Sequence, residues 1–348
     1  MPPSMKKKKH QLPMKSAFSV MILFSLMLIL SSSTWWMSWV GLELSTLFFI
    51  TFVSYTKGKT SNVFLWRYLI VQIVCSTAFL CSVLQSNQIQ VMNSHFSYET
   101  EILSIVAMLS MLVKMGMPPF HGWFITLSQS MSWTNFLMLS TLMKVGPILI
   151  LINLDSSQCQ TFLILVTSLS MVIGCIGVLD TSVRRILVCS SIVNTGWMVI
   201  GLHAFQYQSM LYMLVYFILL SGLILILKLE NVSTTSELYG MAYCLPSNLS
   251  SIVLFLMISL SGLPPLVMFM VKLEILSSVM NTNFMIIIIG LQAIIPAIFM
   301  IVAYINFILW SAQKGKTFVV KKPISALTVF SIAVQLWLAC MLFCLLLK

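Results

Sequence analysis

The sequence predicts an all-α polytopic membrane protein of about eleven transmembrane helices, and three observations carry the prediction. Hydrophobic residues make up 59% of the 348 and charged residues only 8%, against roughly a quarter charged in a soluble domain. The apolar runs are unbroken over about 17–25 residues, which suits helices that cross a bilayer and not the ~10-residue alternating segments of a membrane barrel. The net charge of +11 sits on basic residues placed between apolar runs, as topology signals are. They form no basic face for nucleic acid.

In order, the spans fall at roughly 16–31, 35–55, 63–84, 101–129, 135–153, 161–179, 185–204, 208–228, 248–280, 283–310 and 324–347, read from run length. Residues 1–15 form a basic tail that contains Lys6, Lys7, Lys8 and Lys9. No small-residue cleavage site follows the first apolar run and the tail holds no arginine, so neither a secretory signal nor a transit peptide is expected. Residues 16–348 then make one transmembrane domain, with halves at about 16–153 and 161–310 and a last helix at about 324–347.

The fourth and ninth spans are too long for a single ~20-residue helix. Each contains the same interruption, Gly116-Met117-Pro118-Pro119 and Gly262-Leu263-Pro264-Pro265. Counting each as one broken span places Lys6 to Lys9, Lys15, Lys57, Lys59, Arg67, Arg184, Arg185, Lys228, Lys314, Lys316, Lys321 and Lys322 on the side of the N-terminus. That is 15 of the 19 basic residues; counting either as two spans scatters them over both faces. The N-terminus is therefore expected on the cytoplasm-like, positive side.

The stretch from Lys114 to Phe124 organises the chain. It sets a lysine deep in an apolar run and follows it with two prolines, which cannot continue the helix ladder. Interrupted backbone at membrane depth is tolerated where protein or a water-filled cavity surrounds it, and a charge beside it marks a candidate ion pathway. The competing reading is a packing kink with a snorkelling lysine. Because the two broken spans are five apart, they cross in opposite directions, which suggests an inverted repeat with ion sites at its discontinuous helices.

Four charges set within spans are singled out. Glu43 is about 12 Å along the second span, near the midplane. Lys144 is central in the fifth span, and Lys114 closes the first half of the fourth, where the helix dipole favours a cation. Lys272 follows the second break by one to two turns; Glu274, two residues on, does not face it. A lysine in an apolar bundle is costly when charged and a nearby carboxylate offsets that cost, so moving the partner switches which lysine holds a proton. Taken singly, each charge also fits a structural ion pair. His121, just past the first break, reads as a cap for freed carbonyls or as a relay. The eight cysteines, at 75, 81, 159, 175, 189, 244, 340 and 344, lack zinc, haem or iron–sulfur spacing, so no redox cofactor or metal is expected on this chain.

Several stretches carry a family resemblance. They are Trp35-Trp36…Trp39-Val40-Gly41-Leu42-Glu43, Arg67-Tyr68-Leu69-Ile70-Val71-Gln72, Val113-Lys114-Met115-Gly116-Met117-Pro118-Pro119-Phe120-His121-Gly122-Trp123 and Leu142-Met143-Lys144-Val145-Gly146-Pro147. Arg184-Arg185-Ile186-Leu187…Ser190-Ser191-Ile192…Gly196-Trp197-Met198 and Ser261-Gly262-Leu263-Pro264-Pro265…Phe269-Met270-Val271-Lys272 follow. In this order they resemble the subunit 2 family of mitochondrial NADH dehydrogenase, antiporter-like subunits in the membrane arm of respiratory complex I.

The resemblance implies inverted five-helix repeats with two discontinuous helices, hinged at Gly116, Pro118, Pro119, Gly262, Pro264 and Pro265. It implies a non-redox subunit of an H⁺-translocating NADH:ubiquinone reductase, with Glu43, Lys114, Lys144 and Lys272 at the family's proton-channel positions. NADH, FMN, iron–sulfur clusters and ubiquinone would be bound elsewhere in the assembly. Implied partners are complex I subunits 4, 4L and 6, accessory subunits and lipids such as cardiolipin, with no nucleic acid. The implied location is the mitochondrial inner membrane, N-terminus in the matrix and C-terminus in the intermembrane space. Departures are the long Lys-rich N-terminus, Asn194-Thr195 where a His-Met pair is common, and Val271 where proline is usual. A stand-alone cation/proton antiporter and a structural spacer are the competing functions.

Overall fold

The exposed faces of this chain are unlike those of a soluble protein. In the computed structural model α1 (Pro3–Ser31) shows Val20, Phe24 and Met27 on its outer face, and α10 (Gln206–Leu229) shows Leu214, Ile218 and Leu225. These are stripes at helical spacing, as apolar a surface as only lipid tolerates. The buried set meanwhile includes Ser25, Gln72, Ser140, Lys144, Ser170 and Gln208. Small hydroxyls enter cheaply because they bond their own helix, as Ser25 Oγ does to the Ile22 carbonyl at 2.7 Å and Ser76 Oγ to Ile73 at 2.8 Å.

The structure describes residues 3–55, 62–91, 97–154, 160–177, 180, 182–204, 206–230, 232–234, 237, 247–262 and 266–279. Among them it is all helix apart from turns and one isolated bridge, Ser182 to Thr234. Helices long and apolar enough to cross a membrane cover Trp35–Tyr55, Val63–Ser86, Trp133–Asn153, Val183–Leu202 and Gln206–Leu229. The expected spans at 283–310 and 324–347 lie outside the described residues. The chain divides into two compact units, Met1–Leu163 and Ile164–Lys348.

The first unit holds α1, α2 (Trp35–Tyr55), α3 (Asn62–Val91), α4 (Ser97–Lys114), α5 (Gly122–Ser130), α6 (Trp133–Ser140) and α7 (Leu142–Asn153). The helix of α1 runs back to Pro3 and takes in the Lys6–Lys9 run. One sequence expectation changes here. The fifth span, expected unbroken over 135–153, is interrupted at Thr141. Ser140 turns its hydroxyl back onto the Phe136 carbonyl at 2.8 Å and the Leu137 carbonyl at 3.2 Å, and Thr141 turns its own onto Leu137 at 2.7 Å; such back-bonding bends helices.

α7 packs against α1, α2 and α4 and so lies inside the unit. Small residues allow the approach. A Cβ on Gly146 of α7 would meet Leu42 Cδ2 at 3.0 Å and Ile29 Cδ1 at 3.1 Å, and one on Gly41 would meet Ile29 Cγ1 at 2.5 Å.

The second unit holds most of α8 (Gln160–Gly177), α9 (Val183–Ala204), α10, α11 (Ser247–Ser261) and α12 (Val267–Val279), with α10 touching α9, α11 and α12. Gly174 and Gly177 of α8 press on Val193 and Cys189 of α9, so that any Cβ there would overlap them. Past α10, Glu237 accepts hydrogen bonds from the Ser233 N–H and hydroxyl and from the Thr234 N–H. These donors hold its carboxyl below the usual carboxylate range.

Overpacking the α8–α9 contact tests this arrangement. Gly177→Leu is expected to destabilise the protein by about 1–3 kcal/mol. Gly222→Ala, whose Cβ would make an ordinary 3.6 Å contact with Leu256, is expected to stay within about 0.5 kcal/mol. Thermal unfolding in detergent reads both.

Candidate functional site

The first break is a helix that stops on glycine. Past Lys114, the last residue of α4, Gly116 takes φ +74°, a conformation nearly closed to other residues. The Gly116 N–H donates to the Val113 carbonyl and the Met117 N–H to the Leu112 carbonyl, both at 3.0 Å, the paired bonds of a Schellman cap. A Cβ on Gly116 would come within 2.8 Å of Phe124 Cβ, so the same glycine lets α5 fold back beneath it. The Pro118–Pro119 bond is cis. His121 Nδ1–H donates to the Pro119 carbonyl at 3.1 Å, and the His121 carbonyl accepts the Phe124 and Ile125 N–H groups that start α5.

This turn leaves the Lys114 carbonyl without a helical partner. Gln72 of α3 answers it, Nε2–H to oxygen at 3.4 Å. The Lys114 side chain is 5% exposed, and its Nζ has no hydrogen-bond partner among the described residues. It lies at the negative end of the α4 dipole. Lys144 follows the Thr141 break by three residues, its N–H bonded to the Thr141 carbonyl. It is 1% exposed, with Nζ 4.9 Å above the centre of the Phe124 ring.

Both lysines line one cavity. Tyr68, Gln72, Trp123, Phe124 and Leu139 complete much of its wall, and its volume of ≈ 10 Å³ is room for the centre of about one water. Tyr68 is fixed from both sides, by Phe49 at 5.4 Å and Trp123 at 5.6 Å between ring centres. Glu43, half-buried on α2, interacts through space with Lys114 and with Tyr68. Among the described residues it makes no ion pair within 4 Å, unlike Arg185 with Asp180 at 3.0 Å.

The second break, in the other unit, has its own lysine. Gly262 takes φ +80° after α11, and its N–H donates to Ser259 at 3.2 Å. Here Lys272 of α12 does what Gln72 does in the first unit: Nζ donates to the freed Ser261 carbonyl at 3.0 Å. Lys272 is 8% exposed and lies 5.5 Å over the Trp197 ring of α9. Pro264 and Pro265 lie outside the described residues. Val271 is fully buried, and Asn194 accepts the Tyr212 hydroxyl at 2.8 Å, so both departures from the family pattern have packed roles.

Of the charges singled out in the sequence, the structure therefore brings Lys114 and Lys144 to one cavity in the first unit, with Glu43 acting on Lys114 through space, and sets Lys272 on the break of the second. Sequence reasoning missed Gln72, Tyr68, Phe124 and Trp197. Gln72 alone carried a signal, a polar amide in mid-span; the rings are indistinguishable from core aromatics before the fold is known.

Residues 32–299 match the family model described as NADH:quinone oxidoreductase/Mrp antiporter, TM. The chain belongs to this family. Among its relatives, NADH-ubiquinone oxidoreductase chain 2 of Locusta migratoria is 31% identical over 274 residues, 78% of each chain. The protein of the same name from Strongylocentrotus purpuratus is 31% identical over 77% of this chain and 76% of its own. A chain of the respiratory complex I from Thermus thermophilus with bound Aureothin superposes with a TM-score of 0.71 at 18% identity, over 95% of this chain and 77% of that one. The antiporter-family fold, an all-helical membrane domain, is thus the architecture that carries these two breaks.

Gly116 and Gly122 make a matched pair of tests. Gly116→Ala meets both a left-handed φ and the Phe124 side chain and is expected to cost at least about 1–2 kcal/mol. Gly122→Ala has nothing within 4 Å of its new Cβ and is expected to be neutral within about 0.5 kcal/mol. The amount of folded protein recovered in detergent on heating distinguishes them.

Proposed function

We propose that this chain is the chain 2 membrane-arm subunit of a proton-translocating NADH:ubiquinone oxidoreductase and that its buried lysines pass protons. The observation that carries the reading is the pair Lys114 and Lys144 on one polar cavity at a broken helix, with Glu43 within electrostatic reach. A lysine in so apolar a bundle exchanges its proton when the charge beside it changes. Movement of Glu43 or of its field therefore loads or unloads Lys114. A water in the cavity is placed to carry the proton between Lys114 and Lys144. Lys272 extends the same chemistry to the second unit.

On this reading the complex lies in the mitochondrial inner membrane, with the N-terminus on the matrix side and the C-terminus towards the intermembrane space. Its partners are the other membrane subunits, including subunits 4, 4L and 6, accessory subunits and lipids such as cardiolipin. NADH, FMN, iron–sulfur clusters and ubiquinone are handled by the rest of the assembly, and this chain supplies no redox group.

Lys144→Ala, Lys114→Gln and Glu43→Gln test the reading in the assembled complex. Each is expected to leave assembly intact on native gels and to lower coupled NADH:ubiquinone turnover and proton uptake about tenfold or more, the scale of a lost proton-transfer group. Full turnover with full proton uptake in all three would defeat it.

A further inference from the structure

We infer that Phe124 is a positioning residue, its ring face seating the Lys144 ammonium at the cavity shared with Lys114, in the space left by Gly116. The inference rests on the reading that Lys144 carries protons. The Lys144 Nζ lies 4.9 Å from the ring centre, inside the ~6 Å range of a cation–π contact. Phe124 is 1% exposed and Lys144 is 1% exposed, so the contact is desolvated and belongs to the stronger part of that range.

The ring is also held in place. Gly116 lies against it so closely that a Cβ would stand 2.8 Å from Phe124 Cβ and 2.9 Å from Cγ. Trp123 meets it edge-on with 5.7 Å between centres. A ring face attracts a cation without offering a lone pair that takes its proton. It therefore fixes where the ammonium sits and leaves the exchange to the cavity's polar groups. A carboxylate at that spot would hold the cation more firmly and would accept the proton itself.

The second unit repeats the arrangement with different residues. Lys272 Nζ lies over the Trp197 ring, and a Cβ on left-handed Gly262 would stand 2.7 Å from that same nitrogen. Left-handed glycine, buried lysine and aromatic ring thus occur together at both breaks.

The test uses the assembled complex in inner-membrane vesicles carrying Phe124→Leu, Phe124→Tyr or Lys144→Ala. Leucine keeps an apolar side chain but has no π face; tyrosine keeps the ring. Phe124→Leu is expected to assemble and to lose coupled turnover and proton uptake about tenfold, the order of a desolvated cation–π contact, with KM for quinone unchanged. Phe124→Tyr is expected to restore most of the loss. Full coupled activity in Phe124→Leu beside an inactive Lys144→Ala overturns the ring's role and leaves Lys144 as a carrier. Full activity in Lys144→Ala overturns the reading beneath it. Where Phe124→Leu does not assemble, Phe124→Met, flexible and of similar bulk, is read the same way, and full activity in it overturns the inference.

Discussion

A carbonyl or amide group cannot be left bare at membrane depth, and that single constraint shapes both breaks. Stopping a helix in mid-membrane frees several carbonyls at once. At the first break the Schellman bonds take up those of Leu112 and Val113, Gln72 takes up that of Lys114, and His121 that of Pro119. At the second, Lys272 takes up that of Ser261. The polar side chains are therefore required by the backbone before any chemistry is asked of them. Once present, Gln72 and Lys114 give an apolar crossing a polar-lined cavity with room for the centre of about one water.

Two lysine side chains share one small cavity. Like charges gathered in one apolar site oppose each other. Three features set against that repulsion are the α4 dipole at Lys114, Glu43 acting through space, and the Phe124 ring at Lys144. Of these only Glu43 is itself a charged side chain, and it stands on a helix, α2, that carries neither lysine.

Much of the frame was legible in the sequence because membrane depth restricts it so strongly. Run length places α2, α9 and α10 to within a few residues, and Gly-x-Pro-Pro locates both interruptions. Lys114 and Lys144 stood out because charge is rare in such runs. The Thr141 break was not legible, since an adjacent serine and threonine back-bond in the same way inside an unbroken helix, as Ser76 and Thr77 do onto the Ile73 carbonyl of α3. The partners were invisible for another reason. Gln72 meets Lys114 across 42 positions of chain, and Phe124 is one of 22 phenylalanines, so nothing local distinguishes either from packing residues.

The two breaks share a motif but differ chemically. Two residues before the glycine stands Lys114 in one and Leu260 in the other. In the first unit the cation ends the helix, and a neutral amide, Gln72, caps the carbonyl. In the second the cation comes after the break and is itself the cap. The Lys272 bond to Ser261 is charge-assisted, and such bonds lose roughly half their strength when the charge goes. At the second break the capping bond thus runs through the lysine itself, whereas the bonds that hold the first break do not pass through the Lys114 ammonium. The same motif is satisfied by a charged donor in one unit and by a neutral amide in the other.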